Sequence, residues 1–117
     1  MSAQLVHFEI PTPDLSKAQA FYTKLFDWQL EPFGESYQFI PGQPSGGILA
    51  SEGAAAGAPL AVYFGVDDIE AAVAQVESLG GQAEPVRDMP GIGKDAVCQD
   101  DQGTTFRLFQ AATGGTT

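Results

Sequence analysis

The side chain with the broadest chemical repertoire in this chain is His7, the only histidine among 117 residues. An imidazole titrates near neutral pH, so it can serve as a general base or as a metal ligand. Glu9 follows two positions later, and alternate residues of a strand point to the same side. His7 and Glu9 therefore share one face if this stretch is a strand, and together they could form part of an atypical metal site.

Two other side chains suggest chemistry. Arg107 carries a permanent cation that could hold a carboxylate or phosphate of a ligand by a bidentate pair; the alternative is an ion pair with Glu9 that satisfies both charges. Cys98, the only cysteine, lies in a strand of alternating apolar residues, which favours a buried, unreactive thiol. The chain has no phosphate-binding Gly-Lys-Ser/Thr loop and no serine elbow.

The elements that must position these residues follow from periodicity. "QLVHFEI" alternates and predicts a strand with one apolar face. Asp14 is a good helix N-cap, and "LSKAQAFYTKLF" follows it with apolar residues at helical spacing. "DWQLEPF", "SYQFIP" and "SGGILAS" predict three short strands separated by Pro and Gly.

The second half of the chain repeats this pattern at a constant offset of 54 residues, so that Asp14 corresponds to Asp68. Three further strands are predicted near "AEPVRDM", "DAVCQD" and "TTFRLFQ". The chain is therefore predicted to be a single α+β domain of two tandem βαβββ modules. Module one is placed at 4–50, a flexible linker at 51–58, module two at 59–110 and a flexible tail at 111–117.

Composition excludes some classes of function. Fifteen acidic and five basic residues give a net charge of −10 and a pI near 4.1. Five scattered cations cannot supply the basic surface that nucleic acids or anionic membranes require. An acidic surface favours solubility and attracts cationic small molecules. No long apolar run and no secretory leader are present, and one cysteine fits a reducing compartment, so a cytoplasmic location is expected.

The ordered motifs "HFEIPTPDLSKAQAFYTKLFDW", "YFGVDDIEAAVAQVESLGG", "DMPGIGK" and "DDQGTTFRLFQ" resemble the vicinal oxygen chelate superfamily. This family includes glyoxalase I, bleomycin resistance proteins and extradiol dioxygenases, and the resemblance covers about residues 4 to 110. It implies that each module curls its mixed sheet into a half-barrel with the helix outside. Two half-barrels then form a cup-shaped cavity.

In metal-dependent members of that family, the first and last strands of each module supply the ligands of a divalent ion. His7 matches one such position, but the corresponding residue of module two is Ala61, which has no donor atom. The position four residues after the turn glycine is Arg107, which cannot bind a cation. Positions 47–49 of module one also lack a donor side chain. Because a catalytic metal needs about three protein ligands, no metal and no other cofactor are expected.

The resemblance instead implies a cavity that binds a small molecule of unknown identity. Its expected lining is His7, Glu9, Trp28, Tyr37, Phe39, Tyr63 and Arg107. Metal-free ligand binding is the preferred hypothesis. Alternatives are a lyase, isomerase or hydrolase acting on a small oxygenated metabolite, with His7 as its base or as a ligand of an atypical metal, and a non-catalytic association module. Whether the chain is an enzyme is left open, and a homodimer is expected from the family.

Overall fold

A computed structural model describes residues 2–50 and 57–112. Its contacts divide the chain into two compact units, one formed by Val6–Val62 and the other by the segment from Tyr63 onward with the residues before Val6. Each unit contains one helix and strands that pair in both parallel and antiparallel orientation, so the α+β class with two tandem modules is confirmed. Most of the predicted linker and tail lies outside the described residues.

The first unit follows the predicted order of elements. The elements are β1 (Leu5–Thr12), α1 (Leu15–Phe26), β2 (Glu31–Pro32), β3 (Tyr37–Ile40) and β4 (Ser45–Ala50). Their strand order is β2-β3-β4-β1, with β4 parallel to β1 and the other neighbours antiparallel. The parallel pair arises because the chain returns through the helix and two strands before β4 lies beside β1.

The second unit repeats this topology. The elements are β5 (Ala61–Gly65), α2 (Ile69–Ser78), β6 (Gln82–Ala83), β7 (Arg87–Met89), β8 (Gly93–Gln99) and β9 (Thr105–Ala111). The first and last strands, β5 and β9, are parallel neighbours, and β9 also pairs antiparallel with β8. The short strands β6 and β7 pair with different ends of β8.

Two of the predicted strands are shortened or divided. The stretch "DWQLEPF" forms only the two-residue β2, and its first residue, Asp27, instead ends α1 with a φ of 57°. The stretch "AEPVRDM" is divided into β6 and β7, with Pro85 between them. A proline has no backbone N–H to donate to a ladder, so pairing is interrupted at Pro85.

Both helices begin at the predicted aspartates and with the same geometry. Asp14 has φ −141° and ψ 97°, and its side chain accepts a hydrogen bond from the backbone N–H of Lys17. Asp68 has φ −138° and ψ 97°, and it accepts from the N–H of Ala71. In each case the carboxylate satisfies one of the N–H groups that the first turn of a helix leaves without a partner. The 54-residue repeat is thus reproduced in the backbone.

Each unit has its own apolar core between helix and sheet. In the first, Ile10, Ile40 and Ile48 are buried and pack against residues that include Phe8 and Trp28. In the second, the buried residues are Ile69, Ala96, Cys98 and Leu108. Neither described helix has the length and hydropathy that a membrane-spanning segment requires.

Gly46 is required by the core of the first unit. It lies beside Phe8 in the parallel ladder, and a Cβ atom at position 46 would collide with the Phe8 ring. The absent side chain leaves room beside β4 for the far end of the Phe8 ring. A larger residue at position 46 would push that ring out of the core, and such overpacking costs about 1–3 kcal/mol.

We predict that the two N-caps contribute equally to stability. Asp14→Ala and Asp68→Ala should each lower the free energy of unfolding in urea by about 1 kcal/mol, because each leaves a helix N–H without its partner. Asp67→Ala removes the same carboxylate one position before a cap and should change stability by less than about 0.5 kcal/mol. Equal losses in all three variants would contradict a capping role.

Candidate functional site

The alternation of β1 sorts its side chains onto two faces. Phe8 and Ile10 pack with the apolar core of the first unit. His7 and Glu9 occupy the alternate positions and therefore point to the other face. Their side chains are 21% and 15% exposed. The face that carries the candidate chemistry is thus fixed by the packing of its neighbours and remains partly accessible to solvent.

Both ring nitrogens of His7 have side-chain partners. Nδ1 lies 2.7 Å from the hydroxyl oxygen of Ser45, and Nε2 lies 2.8 Å from the hydroxyl oxygen of Tyr37. The Tyr37 hydroxyl donates to Oε2 of Glu9 at 2.9 Å, and that same oxygen is 3.6 Å from Nε2. Ser45, His7, Tyr37 and Glu9 form a continuous chain of hydrogen bonds, which we call the His7 network.

Strand register brings this network together. The parallel pairing of β1 with β4 sets His7 opposite Ser45 and Glu9 opposite Gly47. A Cβ atom at position 47 would collide with the phenol of Tyr37. The Tyr37 ring therefore crosses β4 through the space that Gly47 leaves open, and this is how its hydroxyl reaches both residues of β1.

Aromatic rings border the network. The Phe39 ring is stacked with the imidazole of His7, with ring centroids 6.4 Å apart and an interplanar angle of 16°. Phe33 meets Tyr37 edge to face at 6.1 Å. Such rings offer apolar surface beside the polar groups, the combination found in small-molecule sites.

The structure brings together four of the seven predicted lining residues: His7, Glu9, Tyr37 and Phe39. Trp28 lies elsewhere in the same unit. Its ring contacts those of Phe8, Tyr22 and Phe26, on the side of β1 opposite to His7. It is a core residue there, packed against the buried isoleucines.

Tyr63 and Arg107 belong to the second unit and contact each other. They are opposite one another in the parallel pairing of β5 with β9. The guanidinium donates to the Tyr63 hydroxyl at 3.0 Å and lies 5.5 Å from the centroid of its ring. A cation over an aromatic face is attracted to it, so Tyr63 fixes the position of the arginine.

The turn before β9 sets where Arg107 falls along that strand. The Asp100 carboxylate accepts hydrogen bonds from the backbone N–H groups of Thr104 and Gln102. These two amides hold the pKa of Asp100 below its ordinary value. Gly103 completes the turn with φ 89°, a conformation that glycine adopts without strain.

Two further polar side chains of the second unit have structural roles. Cys98 is buried in the core, and burial, together with the charges of Glu77 and Glu84, raises the pKa of its thiol. A thiol in this state is a poor nucleophile. Asp95 is only 1% exposed and is held by two hydrogen bonds from the guanidinium of Arg87, at 2.8 and 2.6 Å. That pair joins β7 to β8.

The available donors do not fit a metal centre of the type that the resemblance implies. Throughout residues 2–50 and 57–112, no three His, Cys, Asp or Glu side chains gather where they could hold a metal ion. Of the three residues that match the metal-ligand positions of that family, only His7 can donate a lone pair to a metal ion. Ala61 has no donor atom, and Arg107 is cationic. Both ring nitrogens of His7 are hydrogen-bonded, one to the Ser45 hydroxyl and the other to the Tyr37 hydroxyl, so in this arrangement neither faces an open metal position.

Sequence reasoning missed Ser45. It begins β4 and is separated from His7 by 38 positions. The signal was present in the "SGG" stretch, because consecutive glycines on a strand indicate close approach by neighbouring groups. Identifying the approaching groups required the register of the parallel pair.

Comparison with known proteins places this geometry in context. A family model described as Glyoxalase/Bleomycin resistance protein/Dioxygenase superfamily matches residues 4–108. "Putative glyoxylase CFP32" of Mycobacterium bovis and of Mycobacterium tuberculosis is 45% identical over 53 residues, which are 44% of this chain. The match covers only 20% of the length of those curated relatives.

Solved structures share the fold at low sequence identity. The hypothetical protein BH1468 of Bacillus halodurans C-125 has a TM-score of 0.76 at 16% identity, covering 100% of both chains. Methylmalonyl-CoA epimerase of Streptomyces coelicolor, in complex with 2-nitronate-propionyl-CoA, has a TM-score of 0.72 at 17% identity over 97% of both chains. A glyoxalase/bleomycin resistance protein/dioxygenase superfamily member of Vibrio splendidus 12B01 scores 0.68 at 15% identity, over 93% of this chain and 99% of that one.

The His7 network predicts the tautomer of His7. Glu9 can only accept, so the single Tyr37 hydroxyl proton is used there. The Tyr37 oxygen must then accept from His7, and we expect the neutral imidazole to carry its proton on Nε2. Nitrogen NMR of isotope-labelled protein tests this without assignment, because the chain has one histidine. Tyr37→Phe should shift the population toward the Nδ1–H form, whereas a dominant Nδ1–H form in the unaltered protein would contradict the network.

The side chains available as ligands predict that the protein does not bind one metal ion per chain. After exposure to Zn²⁺, Ni²⁺, Mn²⁺ or Fe²⁺ and removal of excess ion, elemental analysis should give well below one equivalent per chain, because a stable centre needs about three ligands. His7→Ala is the control. If the unaltered protein binds one metal ion per chain and His7→Ala binds none, then further residues must complete a metal site with His7.

Proposed function

Since the chain belongs to the Glyoxalase/Bleomycin resistance protein/Dioxygenase superfamily, we propose that it binds a small molecule at the His7 network, without a family-type metal ion. The observation that supports this most directly is the hydrogen bonding of His7 to Ser45 on one side and to Tyr37 on the other. A histidine held in this way is pre-oriented for a ligand, and it retains partial exposure through which a ligand could reach it.

The charge of the network restricts the ligand. Glu9 is the only full charge among its four side chains while the imidazole is neutral. A carboxylate at the site attracts a protonated amine and repels an anion. The net charge of −10 on the whole chain acts in the same direction. We therefore propose a neutral or cationic ligand with hydrogen-bonding groups and an apolar portion that contacts Phe39.

A second candidate function is proton transfer. Because the Tyr37 hydroxyl donates to Glu9, the chain of hydrogen bonds leaves Nδ1 of His7 as an acceptor, which is the state that a general base requires. A lyase or isomerase acting on a small oxygenated metabolite would use His7 in this way. Homodimer formation and a purely associative role stay predictions, and they do not depend on the network.

We expect the network to discriminate between ligands by charge. Benzylamine, benzyl alcohol and benzoate present the same ring with a cation, a neutral hydroxyl or an anion, and their binding can be measured from the shift of the His7 imidazole signals. Benzylamine should bind about fivefold more tightly than benzoate, which corresponds to roughly 1 kcal/mol for one partly exposed charge pair. Glu9→Gln should reduce this preference to less than about twofold.

Glu77→Gln provides the matched control, because it removes the same charge from an exposed position of α2. It should leave the order of affinities unchanged. Tighter binding of benzoate in the unaltered protein would contradict the assignment of the site to neutral or cationic ligands. If none of the three compounds perturbs His7 at millimolar concentration, the associative alternative becomes the better account.

A further inference from the structure

We propose that Ser45 is a nucleophile activated by His7, and that the His7 network can transfer an acyl or phosphonyl group to its hydroxyl. This inference deepens the proposed function, since it rests on small molecules reaching the same site. Three observations carry it: the contact between Ser45 and His7, the direction of the hydrogen bonds beyond His7, and the placement of both residues opposite each other on paired strands.

The direction of the hydrogen bonds follows from counting protons. Tyr37 has one hydroxyl proton, and it donates that proton in a hydrogen bond to Glu9, because an ionised carboxylate can only accept. The Tyr37 oxygen therefore accepts from Nε2–H of a neutral His7. One nitrogen of a neutral imidazole is protonated and the other is an acceptor, so the lone pair of Nδ1 faces Ser45.

The serine hydroxyl has a choice of two acceptors. Nδ1 of His7 is 2.7 Å away, while the carbonyl oxygen of Val6 is 3.4 Å away, at the limit of a hydrogen bond. The shorter and stronger interaction is with His7. A nucleophile, a base within hydrogen-bond reach and a third group that orients the base are the recognised elements of an activated serine.

The remainder of the network stabilises the charge that such activation creates. When Nδ1 takes the serine proton, the imidazole becomes a cation. Its Nε2 is 3.6 Å from the Glu9 carboxylate and is also hydrogen-bonded to Tyr37. Opposite charges at this distance attract, and the partial burial of both side chains strengthens the attraction. Glu9 and Tyr37 are therefore positioning residues, which act on Ser45 through His7.

The reaction of Ser45 with an activated ester has two stages. The Ser45 oxygen attacks the carbonyl carbon of an activated ester, the proton passes to His7, and the bond to the leaving alcohol breaks as that alcohol takes the proton. Water can then attack the acyl-serine with His7 again as base, which releases the acid and restores the hydroxyl.

With an alkyl fluorophosphonate the O–P bond forms, the P–F bond breaks and fluoride leaves, while His7 keeps the proton. Neutral esters suit the site, because Glu9 repels anions.

Labelling of the full chain with an alkyl fluorophosphonate tests the inference. Intact mass should show one adduct, and peptide mapping should place it on Ser45. Ser45→Ala should abolish the adduct, and His7→Ala should slow its formation by at least tenfold. Tyr37→Phe and Glu9→Gln, which keep nearly the same shape, should each slow it by about threefold or more. Ser36→Ala removes an exposed serine of the same unit and should have no effect.

The outcomes separate this inference from the proposed function. Absence of an adduct, an adduct at another residue, or labelling that is unchanged in Tyr37→Phe, Glu9→Gln and His7→Ala would overturn the nucleophile. Thermal unfolding of each variant identifies any that fails to fold, and the two conservative variants then decide the result. If Ser45→Ala still binds benzylamine, ligand binding stands independently of the nucleophile. Labelling of Ser45 without any binding of the three aromatic compounds would support the nucleophile and contradict the proposed binding preference.

Discussion

The parallel pairing of β1 with β4 is the constraint on which the core and the candidate site of the first unit both depend. It places Gly46 and Gly47 beside two consecutive residues of β1, one on each face of the sheet. On the core face the Phe8 ring fills the space at Gly46, and on the other face the Tyr37 ring fills the space at Gly47. A slip of one residue would exchange the two faces, so it would bury the His7 network and expose the core at the same time.

The hydrogen bonds of the His7 network do not require a bound ligand. A buried polar group without a partner costs about 1–3 kcal/mol. In the parts of the chain that the structure describes, no buried side-chain nitrogen or oxygen lacks a hydrogen-bond partner. The network therefore satisfies its own hydrogen-bonding groups before any ligand binds. Pre-organisation of this kind reduces the cost of ordering side chains on binding.

Much of the fold followed from local patterns, whereas the site did so only in part. The 54-residue repeat located both caps, because Asp14 and Asp68 act on residues three positions away. The alternation of β1 predicted that His7 and Glu9 lie on one face, because this pattern also depends only on residues that are close in sequence. Trp28 was expected in the cavity but packs against Phe8, since a position beyond the end of a helix has no periodicity that fixes its direction. Ser45 could not be found locally, because its partner lies in a strand that is distant in sequence.

Duplication of one βαβββ module lets two copies of a position diverge in chemistry while the fold is preserved. The repeat relates Glu9 to Tyr63, and these residues pair across their parallel ladders with Gly47 and Arg107 respectively. Gly47 and Arg107 are thus counterparts. One copy has no side chain and admits a phenol from a neighbouring strand, while the other carries a cation that lies over an aromatic ring. Evolution of a new specificity could therefore proceed in one module without disturbing the hydrogen bonds of the other.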